Sequence, residues 1–154
     1  MEGVNKNIVC DFYKSLAVRD TVTVQRLLAP DIDWWFHGPP AHKFNLMQIL
    51  TGGCVCDDNN YFEPISIVAI GSIVVAEGYH IHESEKTHWV HAWTVENGKI
   101  ITEVKEYLNT SVTVACFKMS NSICITSPRS PKFKNMWHSE LTHNASIPRL
   151  LLVL

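Results

Sequence analysis

Glu106 and His91 are the two residues of this chain best suited to move a proton. A carboxylate held among aromatic rings is pushed toward its neutral form, and an imidazole beside it can share acid–base work. Tyr79 would add a hydroxyl donor, and Glu77 a second carboxylate. Trp34, Phe62, Trp89, Trp93 and Val104 would surround them with an apolar wall, the usual make-up of a small-molecule pocket. Trp34 and Trp35 point opposite ways if they lie in a strand, so only one of them can face that pocket. Two functions stay open. In one, the pocket binds a small apolar ligand, or the protein binds a partner, without chemistry. In the other, Glu106 and His91 act as the acid–base pair of a cofactor-free isomerase, dehydratase or hydrolase, with Tyr79 as hydrogen-bond donor. The plainer reading of the pair is preferred: His91 and Glu106 bond to each other, or reach solvent at a rim, and support the fold.

Other chemistries have weaker support. His80-x-His82 and His88-x-x-His91 place four of the eight histidines close together. Residues i and i+2 of a strand share a face, but His88 and His91 do not, so no four-ligand metal site results. Metal and cofactor are therefore expected to be absent. The five cysteines, Cys10, Cys54, Cys56, Cys116 and Cys124, form no regular framework. An odd count without one suggests free thiols in a reducing compartment, cytoplasmic or nuclear. No Cys-His-Asn arrangement is readable either. Formal net charge is −2 with no basic stripe, which argues against nucleic acid. The N-terminus lacks the pattern of a secretory signal, and no apolar run is long enough to span a bilayer.

The elements that must position these residues follow from periodicity. Ile8, Phe12 and Leu16, widened by Val9 and Tyr13, predict an amphipathic helix over about 4–18. Asp20 is placed to cap a second helix that Pro30 stops. Ile32 to Phe36 suits a short strand, and Phe44 to Leu50 a third helix. Ile65–Ile70 and Ile73–His82 read as strands, with Gly78 marking a bulge or bend in the second. Glu83 to Thr87 reads as a charged loop, which sets Tyr79 roughly opposite His91. Asn97-Gly98 predicts a type I′ hairpin between Trp89–Val95 and Ile100–Asn109. Centred there, the hairpin pairs His91 with Val104 and Trp89 with Glu106. Trp89, His91, Trp93, Val95, Ile100, Thr102, Val104 and Glu106 then share one face, and Glu77 and Tyr79 join it.

Helices first and strands after predict an α+β fold, with helices on one face of a curved antiparallel sheet. Residues 1–117 form the expected domain, 118–135 a polar linker, and 136–154 an extension that docks on the domain. FYKSLAVRDTVTVQRLLAPDIDWWFHGP resembles the opening of the SnoaL-like branch of the nuclear transport factor 2-like superfamily. ENGKIITEVKEYLN resembles its closing hairpin. A finer resemblance, to the plant wound-induced protein family and its senescence-associated relatives, rests on five segments. They are residues 34–38, Leu50-Thr51-Gly52, Ala76-Glu77-Gly78, residues 89–95 and residues 106–110, with looser similarity at Trp137-His138-Ser139 and residues 147–152. Arg149 departs from the glycine usual there. The resemblance implies a cone-shaped fold, homodimers through the sheet, and a response to wounding or stress. It implies no settled reaction and no cofactor.

Overall fold

The computed structural model describes residues 2–37, 46, 50, 62–82, 85–108, 114–116, 136–139 and 151–153. It divides into two compact units, Met1–Asn109 and Thr110–Leu154.

In the first unit, helix α1 spans Glu2–Ala17 and buries Val9, Phe12 and Tyr13, the stripe that its spacing predicts. Its end is closed by main-chain hydrogen bonds. The Asp20 N–H donates to Ser15 O (2.8 Å) and the Arg19 N–H to Leu16 O (3.1 Å). Arg19 takes the left-handed conformation (φ 57°) that this closure needs, where glycine is usual. Asp20 then starts helix α2, Thr21–Leu27, by accepting the Thr23 N–H on its side chain at 3.1 Å. Hydrogen bonds from the Thr23 side chain and then from its main-chain N–H hold the Asp20 carboxyl below its ordinary pKa. The helix stops at Leu27, before Pro30, because strand β1 (Leu28–His37) begins at once. Pro30 is tolerated there because β1 is an edge strand. Leu46 and Leu50 are helical, and the rest of the expected third helix lies outside the described residues.

Strands β2 (Pro64–Ile70), β3 (Ile73–His82), β4 (Glu85–Glu96) and β5 (Ile100–Leu108) complete a five-stranded sheet in the order β1-β5-β4-β3-β2. It is antiparallel except that β1 runs parallel to β5. Helix α1, β2, β3, β4 and β5 all contribute to one core, centred on Phe12, Trp89 and Trp93.

Three registers decide which side chains meet. At the β4–β5 hairpin both Asn97 and Gly98 have positive φ, and the Lys99 N–H donates to Glu96 O. The flanking pair is Glu96–Ile100, and Thr102 is skipped as a bulge between Val95–Ile101 and Thr94–Glu103. Each irregularity moves the register by one residue. Together they set His91 opposite Glu106, not Val104, and Trp89 opposite Leu108, not Glu106. A shift of two keeps Val104 and Glu106 on the inner face but replaces Ile100 and Thr102 by Ile101.

At β3–β4 the shift is odd. Residues 85–87, expected as loop, belong to β4, so Tyr79 faces His88 instead of His91. Glu77 and Tyr79 therefore lie on the opposite face of the sheet from His91 and Glu106, which corrects the expectation that they join that face. At β2–β3 the register breaks between Pro64 and Ser66, opposite Gly78 and Glu77, so the irregularity expected at Gly78 is an extra residue, Ile65, on its partner strand.

In the second unit, β6 (Val114–Cys116), β7 (Met136–His138) and β8 (Leu151–Val153) form a sheet ordered β6-β8-β7. Val114–Cys116 thus pairs within this unit and is not part of the domain expected to run to residue 117. The expected linker, 118–135, lies outside the described residues.

Candidate functional site

A closed hydrogen-bond network sits between α1 and the inner face of β4 and β5. Glu106 lies on β5, with no exposed surface. Its two carboxylate oxygens accept the Leu46 N–H at 3.0 and 2.8 Å. Glu106 Oε2 also lies 2.7 Å from His91 Nε2 on β4, and His91 is equally buried. On the other side of the ring, His91 Nδ1 lies 2.7 Å from the Tyr13 hydroxyl of α1. The Trp93 Nε1–H donates to that same hydroxyl oxygen at 2.9 Å.

Counting donors and acceptors assigns the protons. A carboxylate accepts only, so His91 must donate from Nε2. Its Nδ1 is then an acceptor and takes the Tyr13 proton, while the Tyr13 oxygen takes the Trp93 N–H. Every polar side-chain atom of this network is satisfied with one negative charge on Glu106. A doubly protonated His91 would leave the Tyr13 proton with no acceptor in this network. Aromatic rings wall the network in. The His91 ring is parallel to Tyr13 (3°, centroids 6.0 Å) and packs on Phe62 at 4.5 Å and Trp89 at 4.7 Å.

Burial pushes the Tyr13 hydroxyl pKa well above the ordinary tyrosine value; the Trp93 hydrogen bond opposes the shift, and the Glu106 charge adds to it. The sign of the linkage follows. Stability from this group is complete below about pH 10, where neither state has ionised. Above that pH the unfolded chain releases the proton and the folded chain keeps it. Stability should then fall by up to about 1.4 kcal/mol per pH unit from Tyr13. Burial raises the Tyr107 and Tyr79 hydroxyls as well, so the diagnostic is a difference. Urea titrations between pH 9 and 11 should show a steeper decline for the parent than for Tyr13→Phe; equal slopes would contradict the assignment.

Outside this network lies a cleft of about 460 Å³, lined by Cys10, Tyr13, Lys14 and Ala17 of α1 and by Phe62, Glu63, Pro64 and Ile67. Tyr13 and Phe62 serve both: they line the cleft, and they touch His91. Among the residues expected in the pocket, Phe62 alone lines this cleft. Trp89, Trp93 and Val104 are packed in the solid core. Trp34 is half-buried against that core, stacked on Phe36. Glu77, nearly fully buried on the far face, holds His88 at 3.0 Å. No group of described residues could hold a metal ion, and no described helix is long and apolar enough to cross a membrane.

The sequence reading missed Tyr13 as a member of the site, although a signal existed. A tyrosine on the buried stripe of a helix must find a partner for its hydroxyl. The other cleft residues of α1, Cys10, Lys14 and Ala17, carried no such mark.

The model of the family described as wound-induced protein WI12 matches residues 47–154, a span that takes in all of the second unit. Wound-induced protein 1 of Solanum tuberosum is 40% identical over 111 residues, covering 70% of this chain and 100% of that protein. Senescence associated gene 20 of Arabidopsis thaliana is 39% identical over 115 residues, covering 70% and 98%. Among solved structures, an NTF2-like protein from Burkholderia xenovorans superposes with a TM-score of 0.53 at 27% identity, over 70% of this chain and 91% of the other. N-terminal helices packed on a curved, mostly antiparallel sheet are the architecture of that fold, and the chain belongs to the wound-induced protein WI12 family.

Proposed function

We propose that this chain is a non-catalytic wound- and stress-response protein that binds a small apolar ligand in the cleft between α1 and β2. The observation that carries the reading is the cleft itself. Its volume of about 460 Å³ lies within the range of small-molecule sites, and Tyr13, Ala17, Phe62, Pro64 and Ile67 make its wall mainly apolar. The isomerase, dehydratase or hydrolase reading needs Glu106 or His91 to touch a substrate. Both are fully buried, neither lines the cleft, and their hydrogen bonds are spent on each other, Leu46 and Tyr13. Tyr79 and Glu77 are on the wrong face of the sheet to help.

Ala17 is exposed and lines the cleft, so Ala17→Trp should fill the space without disturbing the core. Anilinonaphthalene sulfonate fluorescence should rise on binding the parent. The affinity should fall at least about tenfold, or 1.4 kcal/mol, in Ala17→Trp. Binding that is absent, or indifferent to that substitution, would remove the cleft as the ligand site.

A further inference from the structure

The cleft also holds a chemical handle that reversible binding does not use. Cys10 is a free, half-buried thiol on its wall. Lys14 follows one turn later on the same face of α1 and also lines the cleft. Phe62, Pro64 and Ile67 supply apolar surface to the same space. An apolar molecule held there lies beside a nucleophile and a cation. Holding two reactants together raises their effective concentration, so an ordinary thiol gains rate without unusual activation. We propose that the cleft captures small apolar α,β-unsaturated carbonyl compounds as covalent adducts of Cys10.

The step balances without a further reactant. The thiol gives its proton to solvent, and Sγ forms a bond to the β-carbon. The π pair of the carbon–carbon double bond moves toward the carbonyl, giving an enolate. The Lys14 cation favours that anion. The α-carbon then takes a proton from water, so the net change is addition of S–H across the double bond. No group leaves and nothing is oxidised. Tyr13 is not the acid, because its proton is committed to His91. The inference rests on the cleft being a ligand site, and the test separates the two ideas.

The full chain is treated with amyl vinyl ketone and, separately, with acrylamide. Adducts at each of the five cysteines are followed by peptide mass spectrometry. Relative to the same pair of rates for glutathione, Cys10 should favour the ketone by about tenfold or more. Ethyl amyl ketone, which is saturated, should protect Cys10, and Ala17→Trp should abolish its preference. A Cys10 preference equal to that of glutathione overturns the proposal. If ethyl amyl ketone displaces anilinonaphthalene sulfonate while Cys10 shows no preference, capture is wrong and reversible binding stands. If the saturated ketone neither displaces nor protects, both fail.

Discussion

Replacing Glu106 by alanine is expected to cost about 3–5 kcal/mol of stability, from buried donors left without an acceptor and from the cavity left in the core. The loss has three parts. The Leu46 N–H and the His91 Nε2–H lose their acceptor. Each buried donor left without a partner costs about 1–3 kcal/mol. The deleted side chain also leaves a void among tightly packed rings. Domains of this size are stable by only about 5–15 kcal/mol, so much of the total is at stake. Glu106→Gln keeps the shape and one acceptor oxygen, and should cost less, about 1–3 kcal/mol. It too breaks the proton order, because an amide N–H then faces a donor. If His91 answers by switching tautomer, the Tyr13 proton loses its acceptor. Urea unfolding measures both, provided the slope is unchanged. A Glu106→Ala protein within 1 kcal/mol of the parent would show that the network is dispensable for the fold. The carboxylate would then again be a candidate for chemistry.

Gly78→Ala should be nearly as damaging for a different reason. A Cβ at Gly78 would lie 2.6 Å from Glu63 O and 2.8 Å from Trp89 Cζ2. Neither can retreat cheaply. The carbonyl belongs to the backbone beside the β2 irregularity, and the Trp89 indole is fully buried between Tyr13 and Phe62. Overpacking of a filled core costs about 1–3 kcal/mol, and two simultaneous clashes place this change at about 2 kcal/mol or more. A lowered urea midpoint together with altered tryptophan emission is the expected result. An unchanged midpoint would mean that the β2–β3 pairing has slack at this point.

The legible part of this protein was local. The α1 stripe, the Asp20 cap, the Asn97-Gly98 turn and the irregularity at Gly78 are each dictated within a few residues. The inner position of Trp89, His91, Trp93, Val104 and Glu106 was legible too, but only because two irregularities of one residue cancel in parity. Where an odd error of three residues entered, at the short connection between β3 and β4, the faces of Glu77 and Tyr79 inverted. Nothing near Thr102 announces the bulge that brings His91 opposite Glu106. The parallel pairing of β1 with β5 joins strands from far ends of the domain, and no local pattern encodes it. The cleft was hidden for the same reason, since its walls come from α1 and from residues some fifty positions later.

Helix α1 is anchored by side-chain hydrogen bonds to distant partners. Its first turn reaches the β2–β3 turn, with Glu2 Oε1 accepting the Gly71 N–H and Asn5 Nδ2 donating to Gly71 O, 69 and 66 positions apart. Val4 packs near Gly98 at the next hairpin, and Tyr13 meets His91 across 78 positions. Loop closure on that scale must be met before such contacts give anything back. The successive β2–β5 hairpins need only short closures, so they should assemble first and accept the helix late. A network completed after the folding barrier speeds unfolding when broken and leaves the folding rate nearly unchanged. The damage from Glu106→Ala should therefore show on the unfolding arm of a chevron plot. A slowed folding arm would instead mean that α1 docks before the barrier.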